Sequence, residues 1–324
     1  MGLKFLITGG LGHIGSKLIR EYAKRDDIEL IRILDNFLVQ RYCSLFNLPN
    51  GKKYEFIEGD IMNDSDLKKA MKDIDVMIHL ASITDAPATI AKPEETERIN
   101  FEGTKKVVNV ASNSGVKKFL FPSSTSVYGE AEGIVDENFK DFKPSSPYAT
   151  TKLASERFLQ ERAKTEKMEI IVLRMGTIFG TSVGMRFHTA INKFCYLAAT
   201  NKPLTVWDSA LNSRRPYLGL NDDIRAFEFL EKHGKSGEIY NVVTKNYSMQ
   251  DIIDAIKEFV PNLKIEITKS PLLNQKPYHA SNEKIIKLGF EFKDDLRQSM
   301  KETLELFGKV SYSGIDNREL NKSD

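Results

Sequence analysis

A cluster of glycines directly after a short apolar run constrains this chain more than any other feature. Leu3–Ile7 is apolar and has the length of one buried strand. Four glycines follow within seven residues, and Ile14–Lys24 then carries apolar residues at helical spacing. Glycine adopts left-handed backbone conformations and lets a ligand approach the backbone closely. The order strand, glycine turn, helix therefore predicts a turn that binds phosphate through the free N–H groups of the helix; the glycines are Gly9, Gly10, Gly12 and Gly15.

An aspartate about 20 residues after Gly15 completes this pattern. Glu29–Leu34 is a second apolar run, and Asp35 stands at its end. A carboxylate there accepts hydrogen bonds from both adenosine ribose hydroxyls and repels a 2′-phosphate. The pattern therefore predicts NAD rather than NADP as the cofactor. The alternative, a tight turn followed by an ordinary loop aspartate, is disfavoured by the combined context.

The alternation of strands and helices in the first half predicts an α/β fold. Repeated units of this kind form a Rossmann-type doubly wound parallel sheet, and its ligands bind beyond the carboxyl ends of the strands. From about Gly176 the rhythm changes, which predicts a smaller mixed α/β C-terminal substrate domain. We expect residues 1–174 to form the NAD-binding domain, with a return of the chain around 216–245. Residues 175–215 and 246–310 are expected to form the substrate domain, with 311–324 as a tail. The predicted strands are Leu3–Ile7, Glu29–Leu34, Tyr54–Glu58, Asp75–Ala81, Lys117–Pro122 and Glu169–Arg174, and Met185–Thr200 is a predicted helix.

Charge and cysteine usage exclude several classes of function. The 324 residues carry 47 Lys and Arg against 45 Asp and Glu, a formal net charge of +2, which gives no case for binding nucleic acid or a membrane. The two cysteines, Cys43 and Cys195, lack metal-ligand spacing and are expected to be free thiols, and no metal is expected. The chain runs directly into its first strand and has no apolar run of membrane-spanning length. These features predict a cytoplasmic protein.

Three residues in the middle of the chain form a candidate catalytic set. Ser124 follows the predicted strand Lys117–Pro122, and Tyr148 and Lys152 are four residues apart on a predicted helix, so they share one face. A nearby ammonium and a positive nicotinamide ring would favour the phenolate form of Tyr148. Tyr148 could then take a proton from a substrate hydroxyl while a hydride leaves the same carbon, with Ser124 bonded to the same oxygen. Lys152 could also hold the nicotinamide ribose.

The tyrosine–lysine spacing by itself has a plain alternative reading. A Y-x-x-x-K is a common coincidence, and taken alone it describes a surface helix pair. Its place after a nucleotide-binding half, and after a strand that ends in Ser123–Ser126, favours the catalytic reading.

With these motifs, nearly the whole chain, to about Val310, resembles the extended short-chain dehydrogenase/reductase family of NAD-dependent nucleotide-sugar epimerases and dehydratases. The segments that carry the resemblance are Thr8–Gly15, Asp35-Asn36, Gly59–Ile61, His79–Ser82, Asn100–Thr104, Ser123–Gly129, Tyr148–Lys152, Leu173-Arg174 and Arg215–Tyr217.

The resemblance implies an NAD-binding enzyme with a nucleotide-sugar substrate. It also implies a homodimer built on a four-helix bundle that uses the helices near Glu94–Ser114 and Tyr148–Lys164. The implied cofactor contacts are Gly9, Gly12, His13, Ile14, Gly15, Asp35, Asn36, Asp60, Ile61, Leu80, Ala81, Ser82, Asn100, Tyr148 and Lys152. The implied substrate contacts are Thr84, Ser124, Thr125, Thr177, Arg186 and Arg215.

Several of these residues have structural alternatives that the sequence leaves open. Asp60 could cap a following helix, and Asn100 could be a satisfied core amide. Arg174 and Arg215 could be ion-pair partners, although a guanidinium at position 215 also suits the substrate diphosphate, which we favour. Arg186 could line the substrate pocket or begin a helix.

Two residues between Ser124 and Tyr128 discriminate between the reactions of the family. Its sugar 4,6-dehydratases carry an Asp-Glu pair there, which supplies the acid and base for removing water, whereas this chain has Thr125 and Ser126. The resemblance therefore favours an epimerase that acts through C4 oxidation to a keto-sugar intermediate, with Tyr148 as base. A nucleotide-sugar 4-dehydrogenase or reductase is the alternative. A 4,6-dehydratase and a non-catalytic NAD-binding sensor rank below these.

Overall fold

The apolar runs of the first half form a central sheet in the computed structural model, which describes residues 2–269 and 278–308. In chain order the helices and strands are β1 (Leu3–Thr8), α1 (His13–Tyr22), β2 (Ile28–Asp35), β3 (Lys53–Glu58), α2 (Asp64–Met71), β4 (Val76–His79), α3 (Ala86–Thr89), α4 (Pro93–Glu97), α5 (Gly103–Asn113), β5 (Lys118–Ser124), β6 (Gly133–Val135), α6 (Pro147–Ala163), β7 (Glu169–Met175), β8 (Thr177–Phe179), α7 (Ala190–Ala199), β9 (Leu204–Trp207), β10 (Arg215–Gly219), α8 (Leu220–His233), β11 (Ile239–Val242), β12 (Lys245–Tyr247), α9 (Met249–Lys257), β13 (Ile265–Thr268), β14 (Tyr278–Ala280), α10 (Glu283–Lys287) and α11 (Leu296–Glu305).

The central sheet has seven strands in the order β11-β7-β5-β4-β1-β2-β3, and all its pairings are parallel. The chain builds outward from β1 in one direction through β2 and β3, and in the other through β4 and β5. The order therefore reverses between β1 and β4, which opens a crevice at the carboxyl ends of these strands. This arrangement confirms the predicted Rossmann-type doubly wound sheet.

Helices cover both faces of the sheet, because its strands are apolar on both sides. One face packs on α1 and α8 through Leu18, Ile19, Phe227 and Leu230. The other packs on α2, α5 and α6; the residues buried there include Leu67, Val107, Val108 and Leu159. These two layers hold the strand ends, and hence the crevice, in fixed positions.

The later part of the chain forms smaller sheets beside the carboxyl ends of the central strands. They have the orders β12-β10-β8, β13-β9 and β14-β6. Helices α7, α9 and α11 share a separate apolar cluster that includes Phe194, Ile252 and Met300. None of the helices within residues 2–269 and 278–308 has the length and apolar character needed to span a bilayer. The domain boundaries given above stay a prediction.

The helix predicted over Met185–Thr200 is shorter than expected. It begins at Ala190, and residues 180–189, which we call the strap, precede it without helical structure. The strap lies against the glycine turn: the backbone N–H of Gly184 donates to Ser16 Oγ at 2.9 Å. A tertiary contact at Gly184 thus replaces the first helical turns, and residue periodicity carries no signal for it.

A buried ion pair ties helix α6 to strand β7. Arg174 donates to both carboxylate oxygens of Glu156, with the shortest contact at 2.7 Å, and the two side chains are 3% and 1% exposed. Arg174 also donates to the hydroxyl of Tyr128 at 3.1 Å. The ion-pair alternative for Arg174 is therefore the one that the structure adopts.

We predict that Arg174→Met lowers the free energy of unfolding by about 3–5 kcal/mol, because it leaves the Glu156 carboxylate buried and uncompensated. Urea unfolding followed by circular dichroism measures the change. The double variant Arg174→Met/Glu156→Leu is the matched control, and it should be destabilised less than the single variant. Equal destabilisation of the two would contradict this account of the pair.

Candidate active site

A cleft of about 680 Å³ crosses the carboxyl ends of the parallel strands. Its walls come from the glycine turn, from the loops after β2, β3, β4 and β5, and from the first turn of α6. The strap and strands β8 and β10 close the opposite side. All of the residues expected to contact cofactor or substrate line this cleft except Asn100.

Packing leaves no room for side chains at two positions of the glycine turn. Gly9 has a φ of +64°, and a Cβ there would lie 2.6 Å from the backbone nitrogen of Ala81. A Cβ at Gly15 would lie 2.4 Å from the carbonyl oxygen of Gly10. The turn can therefore pack against the loop after β4 and against its own first glycines only without side chains, which leaves the N-terminus of α1 open to the cleft.

Asp35 braces the glycine turn as well as facing the cleft. Its Oδ2 accepts from the backbone N–H of Leu11 at 3.1 Å, and its Oδ1 accepts from that of Phe37 at 3.0 Å. Burial raises the pKa of the carboxyl above its ordinary value, and these backbone N–H groups oppose the rise. Lone pairs beyond these two bonds remain for a ligand, because each carboxylate oxygen can accept more than one hydrogen bond.

The loop after β3 lies beside Asp35. The side-chain amide of Asn36 donates to Asp60 Oδ2 at 3.1 Å, and Asp60 Oδ1 accepts from the backbone N–H of Met62 at 2.8 Å. The N-cap of α2 is Asn63, so Asp60 is not the cap of that helix. Asp60 also lines the cleft, where a ligand can reach it.

Ser124, Tyr148 and Lys152 come together at the end of strand β5. Tyr148, near the start of α6, is hydrogen-bonded to the Ser124 side chain. Burial raises the pKa of the Tyr148 phenol, whereas the bond to Ser124 and the charge of Arg186 act in the opposite direction. The Ser124 oxygen also accepts from the backbone N–H of Ser126 at 3.1 Å, which fixes its position.

Lys152 is buried and bonded to the backbone of strand β5. Its Nζ donates to the carbonyl oxygen of Pro122 at 2.8 Å and lies 5.9 Å from the centre of the Tyr148 ring. Burial lowers the pKa of Lys152 to about 7, against the opposing charge of Glu156 one helical turn away. The charge of Arg186, on the opposite wall, favours the ionised form of Tyr148 together with the Ser124 bond.

Asn100 lies behind the cleft wall rather than in it. Its side-chain oxygen accepts from the backbone N–H of Ile83 at 2.8 Å, and its amide donates to the Ile83 carbonyl oxygen at 2.8 Å. A π-helical turn over Arg98–Glu102, between α4 and α5, places the side chain there. The amide is thus a satisfied core group that holds the loop after β4, and its effect on any ligand passes through Ile83.

The substrate side of the cleft carries two arginines. Arg186, at the end of the strap, donates to the hydroxyl of Thr84, and burial lowers its pKa to about 10. Arg215, which opens β10, lies with its guanidinium carbon 5.3 Å from the centre of the Tyr278 ring. Thr177 opens β8, which pairs with β10. These side chains present positive charge and hydroxyls to the same space.

Several cleft-lining residues escaped the sequence reasoning. They come from the loop after β2, from strand β9 and from strand β14; they are Leu38, Val39, Arg41, Trp207 and Tyr278. The unusually high exposure of two apolar neighbours, 70% for Leu38 and 61% for Val39, marks a surface beside Asp35 that a ligand could cover. Only the exposed-apolar pattern directly after Asp35 could have flagged part of this set from sequence.

The cleft has the features that a dinucleotide cofactor requires. The glycine turn opens the N-terminus of a ten-residue helix, and Asp35 stands at the end of the next strand. Three buried polar atoms of cleft-lining residues lack a hydrogen-bond partner within the described chain: His13 Nε2, Ser123 Oγ and Ser126 Oγ. Buried polar groups are normally paired, so these atoms are suited to meet a polar ligand.

Comparisons with known proteins agree with this geometry. The model of the NAD dependent epimerase/dehydratase family matches residues 5–243. The human dTDP-D-glucose 4,6-dehydratase is 29% identical over 94% of this chain and 89% of its own. An uncharacterised UDP-glucose epimerase of Bacillus subtilis is 30% identical over 74% of this chain and 76% of its own. The structure of UDP-glucuronic acid 4-epimerase from Bacillus cereus, in complex with UDP-glucuronic acid and NAD, is 26% identical, with a TM-score of 0.85 over 94% of this chain and 99% of that one.

Proposed function

Because the chain belongs to the NAD dependent epimerase/dehydratase family, we propose that it is a nucleotide-sugar epimerase that acts through oxidation at sugar C4. The substrate class is a sugar linked to a nucleoside diphosphate. The similarity to the UDP-glucuronic acid 4-epimerase from Bacillus cereus over nearly the whole chain supports this class of substrate.

The uncharged hydroxyl side chains beside Tyr148 are the observation that favours an epimerase over a dehydratase. Ser124 bonds to Tyr148, and the next side chains along the chain, Thr125 and Ser126, are hydroxyls without charge. Within the described part of the cleft wall the carboxylates are Asp35 and Asp60, which follow β2 and β3, and Asp85, which caps α3. The site thus offers a proton acceptor for an alcohol, without the acid–base pair that dehydratases place beside it.

The residues of the site divide the proposed reaction between them. Tyr148 accepts the proton of the C4 hydroxyl, and Ser124 holds that oxygen. NAD, held by the glycine turn, Asp35 and Lys152, would supply the hydride acceptor and the hydride for the return step. For the configuration to invert, the keto-sugar must present its other face before reduction, and Tyr148 then returns the proton to the new hydroxyl. Thr125 Oγ1 donates to the Met175 carbonyl oxygen at 3.3 Å and keeps a lone pair for the sugar, and Ser126 Oγ has no partner within the described residues.

The cofactor residues fall into two groups by what they can hold. We assign the adenosine ribose to Asp35, with Asn36, Asp60 and Ile61 beside the adenine. We assign the nicotinamide half to Tyr148 and Lys152 and the loop after β4. The N-terminus of α1 would hold the pyrophosphate. The residues we assign to the glycine turn and to the loop after β4 are Gly9, Gly12, His13, Ile14, Gly15, Leu80, Ala81 and Ser82.

The substrate contacts come from the opposite wall. Arg215 suits the diphosphate, since a planar guanidinium binds phosphate with two parallel hydrogen bonds. Arg186 faces the sugar end, because its charge reaches Tyr148. Thr84 positions Arg186 through its hydroxyl, and Thr177 adds a hydroxyl from β8.

A 4,6-dehydratase is the second candidate, because the human relative bears that name. The positions of the cleft carboxylates count against a dehydratase. Asp85 is the cleft aspartate nearest in sequence to the substrate residue Thr84, but its side chain already caps α3 by accepting from the N–H of Ala88. Loss of water from a substrate would make Asp85 the first residue to test as its acid.

Two properties of the whole protein complete the proposal. We propose a homodimer built on a four-helix bundle from the helices near Glu94–Ser114 and Tyr148–Lys164. Phe101, in the π-helical turn before α5, and Phe158 of α6 meet edge to face at 6.4 Å there and remain partly exposed. We also propose a cytoplasmic protein, because Cys43 and Cys195 are free thiols, as a reducing compartment keeps them.

Incubation with a panel of nucleotide-sugars is expected to yield a product of unchanged mass with one inverted centre, read by mass spectrometry and NMR.

Tyr148→Phe should lower turnover by about 10³-fold, because it removes the proton acceptor. Ser124→Ala should lower turnover by about 10²-fold, and Ser124→Thr, which keeps the hydroxyl, is the matched control. A product lighter by water would contradict the epimerase, and near wild-type turnover in Tyr148→Phe would contradict the role of Tyr148.

The wild-type protein is expected to bind NAD at least about tenfold more tightly than NADP, since a 2′-phosphate would meet the Asp35 carboxylate. Asp35→Asn keeps an oxygen for the backbone N–H of Leu11 and removes the charge, so it should narrow the difference between the affinities for NAD and NADP. Titration calorimetry with both dinucleotides measures it. NADP binding as tight as NAD binding in the wild type would refute the assignment.

Replacement of Phe158 by Glu should convert the dimer to a monomer, because it places a charge in the proposed helix interface. Light scattering coupled to size-exclusion chromatography measures the mass. Phe259→Glu alters an exposed aromatic just after α9, outside the proposed interface, and serves as the control. A monomeric wild type, or a dimer that survives Phe158→Glu, would count against this interface.

A further inference from the structure

The strap lies directly on the glycine turn. The hydroxyl of Ser182 lies 2.8 Å from His13 Nδ1, and the N–H of Gly184 donates to Ser16 Oγ at 2.9 Å. A Cβ at Gly184 would lie 2.6 Å from the carbonyl oxygens of Leu11 and Gly12. The segment that carries Arg186 on the substrate side is therefore seated on the segment that binds the cofactor in the proposed function.

His13 lies where the strap meets the glycine turn. It is the first residue of α1, its ring forms part of the cleft wall, and it is only 7% exposed. Nδ1 is engaged by Ser182, whereas Nε2 is buried and has no hydrogen-bond partner in the described part of the chain. One ring nitrogen thus meets the strap, and the other remains available at the helix terminus.

The protonation state of the ring determines what Nε2 can do. Burial, together with the charges of Arg186, Arg41 and His188, lowers the pKa of His13 to about 3, so the ring is neutral near pH 7. A neutral imidazole has one N–H donor and one acceptor nitrogen. When the Ser182 hydroxyl donates to Nδ1, the proton resides on Nε2, and the unpaired nitrogen is a donor.

We propose that His13 Nε2–H donates a hydrogen bond to the pyrophosphate of the bound dinucleotide, and that Ser182 orients the ring for this contact as a positioning residue. The proposal rests on the proposed NAD-dependent function and names a side-chain contact beyond the backbone groups of the glycine turn. An anion is the fitting partner, because the α1 N-terminus and the Arg41 side chain add positive potential at the same wall.

The same contact links the two ligand sites. Because Ser182 and Arg186 belong to one strap, a cofactor that holds His13 also holds the segment that carries the substrate-side arginine. Cofactor binding should therefore order the strap before the nucleotide-sugar arrives.

Four proteins test the contact by titration calorimetry with NAD: wild type, His13→Asn, His13→Gln and Ser182→Ala. The Asn amide can replace Nδ1 toward Ser182 and offers no donor at the ε position, so NAD affinity should fall about 10-fold or more. The Gln amide reaches the ε position and should keep affinity within about threefold. Ser182→Ala should weaken NAD binding about threefold, because the ring can then take its other tautomer. Thermal unfolding of each apoprotein checks that the variants fold.

A double-variant cycle separates orientation by Ser182 from an independent effect. Ser182→Ala should add no further loss in the His13→Asn background. Hydrogen exchange of residues 181–189 should slow when NAD binds the wild type, and less so in Ser182→Ala. Unchanged NAD affinity in His13→Asn, equal losses from Ser182→Ala in both backgrounds, or equal strap protection in Ser182→Ala would overturn the proposal. These outcomes leave the proposed function standing, whereas a wild type that binds no NAD overturns both.

Discussion

The buried ion pair between Arg174 and Glu156 is the interaction on which the position of Tyr148 and Lys152 depends. It fixes helix α6 to strand β7, and Glu156 lies one helical turn after Lys152. On the same helix, Tyr148 reaches Ser124 at the end of β5. Two charges removed from water are stable only with close, well-oriented partners. The pair therefore holds α6 in one register against the sheet, and that register brings Tyr148 of α6 to Ser124 of β5 on the cleft wall.

The two halves of the cleft are built against each other rather than joined by a loose hinge. The strap rests on the glycine turn through Gly184, and Ser182 reaches His13. Arg186 then extends from the strap to the Thr84 hydroxyl on the loop after β4. Because the strap takes its support from the glycine turn, the position of Arg186 depends on the position of that turn.

Burial is the largest influence on the pKa values of Tyr148 and Lys152. Burial raises the pKa of Tyr148 and lowers that of Lys152 to about 7, so desolvation acts against the charged form of both. The Arg186 charge and the Ser124 hydroxyl work against that effect at Tyr148. The ionisation of Tyr148 thus depends on a cation from the opposite wall and on the solvation of the cleft.

The sequence alone determined the features that local rules govern. The glycine spacing, Asp35 at the end of β2 and the Tyr148–Lys152 helix face follow from backbone sterics and from the periods of strand and helix, and the sheet confirms the fold built from them. Only the tertiary structure decided the partners of distant residues: Asn100 with Ile83, His13 with Ser182, and Arg186 beside Tyr148. These pairs lie far apart in the chain, and no residue period encodes them. The strap has the same origin, because its contact with the glycine turn overrides the helical pattern of its own residues, and the pKa of Lys152 depends on burial that exists only in the folded chain.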